Sequence, residues 1–186
     1  MTDSAPPALS DQSPQTSKYY QLYLVVIILL GGVIVVWGLT RISPDQLASF
    51  VLLAVLAAAV QTTATLTFKG GVAFTVSSAI SLAAIPLLGP ASAAVIAFIA
   101  ELSLGIISIR VDRPPWKKAL RRLVFNAGMN TISTFLAGVL FVGSVNWLGT
   151  SFPAQVVTWL ATAVVADQAN LWLLIIVLHL QLGIPP

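Results

Sequence analysis

The chain contains no cysteine, a single histidine, and charge on only 8% of its 186 residues. The first absence excludes disulfides, thiolate metal sites and a cysteine nucleophile. With His179 as the lone imidazole, zinc has no second nitrogen ligand, so no metal centre is expected. His179 itself closes the last apolar run and reads as structural. The shortage of charge is the most restrictive of the three. An ordinary globular domain carries roughly a quarter charged residues. A chain that is 58% hydrophobic, with a mean hydropathy of +0.95, cannot cover a water-exposed surface. Most of it must face lipid or other apolar helices.

What is present is a series of apolar runs. A helix needs about 20 apolar residues to cross a bilayer, and six stretches qualify: 19–39, 46–68, 72–88, 91–109, 123–148 and 153–180. Turn chemistry separates them, as "SPD" at 43–45, "KGG" at 69–71, "GP" at 89–90, "DRPP" at 112–115 and "GTSFP" at 149–153. The third run is short, with Pro86 near its end. Gly89–Pro90 suits a tight hairpin, since proline ends one helix but can start the next. The expected fold is all-α: a polytopic membrane protein with six transmembrane helices over residues 19–182. The opening "MTDSAPPALSDQSPQTSK" (1–18) is polar and acidic, lacks apolar periodicity, and reads as a disordered tail. It does not resemble the basic start of a signal peptide, so the first span is expected to be retained.

Basic residues near span ends set orientation. Lys18, Lys69, Arg110, Arg113, Lys117, Lys118, Arg121 and Arg122 fall on one side of the six-span arrangement, and Arg41 alone on the other. That asymmetry places both termini and the basic loop 110–122 in the cytoplasm of a bacterial cell, with the chain multi-pass in its membrane. The loop "RVDRPPWKKALRRL" concentrates Arg110, Arg113, Lys117, Lys118, Arg121 and Arg122 beside Trp116. Each charge near an anionic surface is worth about 1 kcal/mol, so lipid headgroups are the expected partner. Nucleic acid is not expected to reach charges pressed against a membrane.

Polar side chains inside the spans are the candidate functional residues. Glu101 interrupts "ASAAVIAFIAELSLGIISIR", and Gln61, Asn130 and Asn170 fall at comparable depth, with Asp167 and Gln168 near mid-membrane. Such groups must turn inward and find partners. Four helices are therefore expected to meet around one cluster, either as interhelical glue worth about 1 kcal/mol per contact or as a site for a proton, cation or small polar ligand. The serines Ser77, Ser78 and Ser81, and the small residues Gly31, Gly32, Ala54 and Ala58, suit close helix packing.

"VAFTVSSAISLAAIPLLGPASAAVIAFIAEL" followed by "PPWKKALRRLVFNAGMNTISTFLAGVLF" resembles the N-terminal membrane region of bacterial HD-GYP and GGDEF signalling proteins. The resemblance covers roughly residues 70–145 and rests on Ser77, Ser81, Gly89, Pro90, Lys117, Phe125 and Asn126. It implies a sensory or scaffolding membrane module coupled to a cytoplasmic output domain; with the sequence ending at Pro186, the expectation is either a stand-alone relative or a truncated chain. Six spans with a Gly-Pro hairpin are also similar to substrate-binding subunits of energy-coupling-factor transporters. Those subunits present an Ala-x-x-x-Ala face on the first span, and "YYQLYLVVIILLGGVIVVWGL" contains no alanine. The expected function is a membrane sensor or scaffold module. A small-solute binding subunit, or an accessory subunit of a larger membrane complex, is the alternative. No glycine-rich phosphate loop or catalytic triad is visible, so neither catalytic residues nor a cofactor are expected.

Overall fold

Long apolar runs uninterrupted by charge leave the backbone no polar solvent, and helix is the conformation that satisfies each peptide group within its own segment. In the computed structural model, which describes residues 18–67, 76–112 and 115–182, the chain follows this rule. The described elements are α1 (Lys18–Thr40), α2 (Leu47–Thr67), α3 (Val76–Ala83), α4 (Ile85–Leu88), α5 (Pro90–Asp112), α6 (Trp116–Leu148) and α7 (Phe152–Leu182). No strand occurs among the described residues. Four of the helices are long and apolar enough to cross a membrane: α1, α5 over Pro90–Ile107, α6, and α7 over Phe152–Gln181. Leu47–Thr63 and Ser77–Leu88 are shorter apolar stretches. The polar opening segment, Lys69 and Arg113 lie outside the described residues.

The third run stops short for a local reason. Pro86 has no N–H to donate, so the helix divides at Ala84 into α3 and the single turn α4. Gly89 then takes φ 82°, a backbone region open essentially to glycine, and its N–H closes on the Ile85 carbonyl at 2.8 Å. Pro90 begins α5 directly after it.

The basic stretch also differs from the expected loop. Arg110 belongs to α5, while Lys117, Lys118, Arg121 and Arg122 lie on the first two turns of α6. Pro115 caps that helix and fixes where it starts. With 33 residues, α6 is about 50 Å long at 1.5 Å per residue, well beyond a hydrocarbon core of about 30 Å. Its charged turns have room to stand in the headgroup layer.

α5 is the central helix, packed against α1, α2 and α6, while α7 lies on α6 and α1. Alanine makes this possible: Ala93, Ala94, Ala97 and Ala100 are buried and let neighbouring backbones approach closely. Glycine does the same on α1 and α6. Gly31 abuts Gly128, and Gly138 abuts Pro90. Gly105 faces Leu123, so α5 and α6 run antiparallel. A second core joins Tyr20, Leu24, Ile27, Phe125, Met129 and Val177. Arg121 lies over the Tyr20 ring at 5.9 Å, which puts Lys18 and the α6 basic residues at one end of the bundle. Arg41, 5.6 Å over Trp37, marks the other.

Candidate functional site

The intramembrane polar residues separate into two groups. Gln61 is buried on α2, and the Ser77 hydroxyl of α3 donates to its Oε1. Ser81 donates to the Ser77 carbonyl at 3.1 Å, and Ser103 of α5 donates to the carbonyls of Ala100 at 2.6 Å and Ala58 at 3.4 Å. These bonds form a polar seam joining α2, α3 and α5. Glu101, at the midpoint of α5, and Asn130 on α6 are partly buried. From the Pro90–Gly138 and Gly105–Leu123 contacts, Glu101 is level with Ala127, about one turn from Asn130.

The other group faces outward. Asp167, Gln168 and Asn170 are exposed on α7. The expected four-helix cluster of Gln61, Glu101, Asn130 and Asn170 is therefore not assembled. Helical phase accounts for Asp167: Thr158, Thr162 and Val177 mark the face of α7 that meets the bundle, residue 167 falls well outside it, and Asn170, at its edge, is exposed. The two carboxylates, Glu101 and Asp167, sit on helices separated by α6 and α1 rather than packed along each other. An acidic residue exposed to lipid at a bilayer centre would cost about 3 kcal/mol on insertion scales, and Asp167 is exposed at the midpoint of α7.

A concave site exists elsewhere, at the end marked by Arg41. A cavity of about 550 Å³ is lined by Arg41, Gln46, the α4 turn from Ile85 to Gly89, Phe141 and Asn146. A cavity of about 280 Å³ shares Arg41, Leu88 and Gly89 with it and adds Trp37, Ser92 and Phe135. Another, also about 280 Å³, shares Pro86, Phe141 and Val145 and reaches Gln155, Thr158 and Trp159. Through these shared lining residues the second and third each adjoin the first, and the three make up a grooved surface beside the α4 turn. Its geometry follows from local sequence. Gln46 Nε2 donates to the Leu87 carbonyl at 3.2 Å, tying the start of α2 to the end of α4. Trp37 stands edge-on to Phe135 with centroids 5.5 Å apart, and Phe141 meets Trp159 at 4.7 Å.

The groove offers apolar walls, three amides and one guanidinium. Thr158 Oγ1 at its margin is buried with no hydrogen-bond partner among the described residues. That set suits a small amphipathic molecule with an anionic head, because arginine presents a planar fork matched to carboxylate. No cluster of three or more His, Cys, Asp or Glu able to hold a metal occurs among the described residues. Sequence reading overlooked this site. Its only signal was Arg41, the single cation on the sparse side of the chain, close to the Gly89–Pro90 turn. No family model, curated protein or solved structure matches the chain.

Proposed function

We propose that this chain is a membrane sensor module with six crossings, in which α2 and the α3–α4 pair return through the bilayer beside the four long helices. The observation that carries the reading is the groove around Gly89, which lies at the end of the bundle opposite the basic residues. By the charge asymmetry that end faces away from the cytoplasm, where an external solute arrives. The tight glycine and alanine contacts draw α1, α5 and α6 close together, which favours reading a ligand over carrying it. The loose resemblance of residues 70–145 to the membrane regions of HD-GYP and GGDEF proteins agrees with this role. The α6 basic turns are the surface for anionic headgroups, and a cytoplasmic output domain is the natural receiver.

Two measurements test the proposal. With no native cysteine, single substitutions give a clean topology readout. An impermeant thiol reagent on intact cells should label Thr150→Cys and spare Lys118→Cys, and the reverse pattern inverts the module. Hexanoate, as a probe of the expected ligand class, should raise the melting temperature saturably, by about 8 °C at a hundredfold excess over Kd. Arg41→Gln should abolish the shift. Equal shifts in both proteins would remove the groove as the site, and uptake into proteoliposomes would favour the transport reading.

A further inference from the structure

The outward face of α7 is unlike the other lipid-facing surfaces of the bundle. On α1 the exposed side chains between Leu22 and Val36 are Leu, Val and glycine, as lipid requires, and on α2 they include Val51, Leu52, Val55 and Leu56. On α7 the exposed apolar residues Val157, Leu160, Val164, Leu171, Leu174 and Leu178 follow alternating spacings of three and four, with Asp167 filling the one remaining position. Such spacing alone decides nothing, because any apolar helix offers it. The deciding feature is the carboxyl at the centre of the seam and at the midpoint of the 31-residue helix, farthest from water at either end.

Lipid has no hydrogen bond to give it. We infer that this face binds a second copy of the chain, forming a parallel two-fold dimer through α7. Both copies insert in the same orientation, so their seams run parallel and equivalent residues meet at the same level. In parallel knobs-into-holes packing, a side chain at the 167 position enters a hole bordered by residues 167, 168, 164 and 171 of the other helix. The Gln168 amide of the second copy therefore stands where it donates to the Asp167 carboxyl, and the symmetric bond forms at the same time. A self-complementary seam with one central polar residue specifies register as well as pairing. A foreign helix would need its own matching polar group at this depth, whereas a second copy carries it by symmetry.

The test uses disulfide cross-linking of the full chain in native membranes. Val164→Cys and Leu171→Cys should form a species of twice the monomer mass at least fivefold more efficiently than Val165→Cys and Ala169→Cys. In the Leu171→Cys background, Asp167→Leu should reduce that species at least tenfold, while Asp167→Asn should preserve it. Because Asp167 is exposed in the single bundle, the Leu variant should keep its monomer melting temperature. Equal cross-linking at all four positions, insensitivity to Asp167→Leu, or cross-links only to a different protein would each overturn the dimer.

Discussion

Gly38→Val should lower the melting temperature by about 10 °C, whereas Gly32→Ala should leave it unchanged or raise it slightly. A Cβ at residue 38 would lie 2.6 Å from Val95 Cγ2 and 2.8 Å from the Ala91 carbonyl carbon, both on α5. Backbone cannot rotate away, so α1 must move off α5. It would also strain the Ser92 hydroxyl bond to the Gly38 carbonyl, 3.3 Å long. Overpacking of this kind costs about 3 kcal/mol, and each kcal/mol shifts a chain of this size by roughly 3 °C. Around Gly32 nothing lies within 4 Å of the added carbon. There alanine contributes its better helix propensity, about 1 kcal/mol over glycine. Intrinsic-fluorescence melts of the two purified variants make the comparison. A Gly38→Val protein melting with wild type would mean that α1 and α5 do not approach as described.

The seam at Gln61 gives the next largest effect. Gln61→Leu removes the acceptor of the Ser77 hydroxyl, which is buried at 2% exposure and stays behind unsatisfied. An orphaned buried hydroxyl costs about 1–3 kcal/mol, while replacing both partners by apolar groups is nearly neutral. Interhelical hydrogen bonds in membranes sit toward the low end of that range. Amide exchange in α3 should therefore accelerate about tenfold in Gln61→Leu, the equivalent of about 1.4 kcal/mol. The double variant with Ser77→Ala should recover most of the protection. If single and double variants exchange alike, Ser77 and Gln61 are not coupled.

These residues show what a one-dimensional reading can reach. Apolar runs of about 20 residues with almost no charge, too long and too uniformly apolar for alternating barrel strands, leave helix to satisfy the backbone in lipid, so the all-helical class follows from the sequence pattern. The turn at 89–90 follows as well, because Gly89 can take a positive φ that other residues avoid and Pro90 fixes its own φ while lacking an N–H. Which neighbour a side chain meets is different. Gly31 and Gly32 are adjacent and chemically identical, yet one touches Gly128 and the other meets open space. Likewise Glu101 and Asp167 each sit at the midpoint of an apolar helix, but one is partly buried and the other exposed. A helix that is apolar on every side carries no periodicity to reveal its inward face. Rotation about its axis is set by how its neighbours pack, and that decided that Gln61 joins Ser77 while Asp167 faces out.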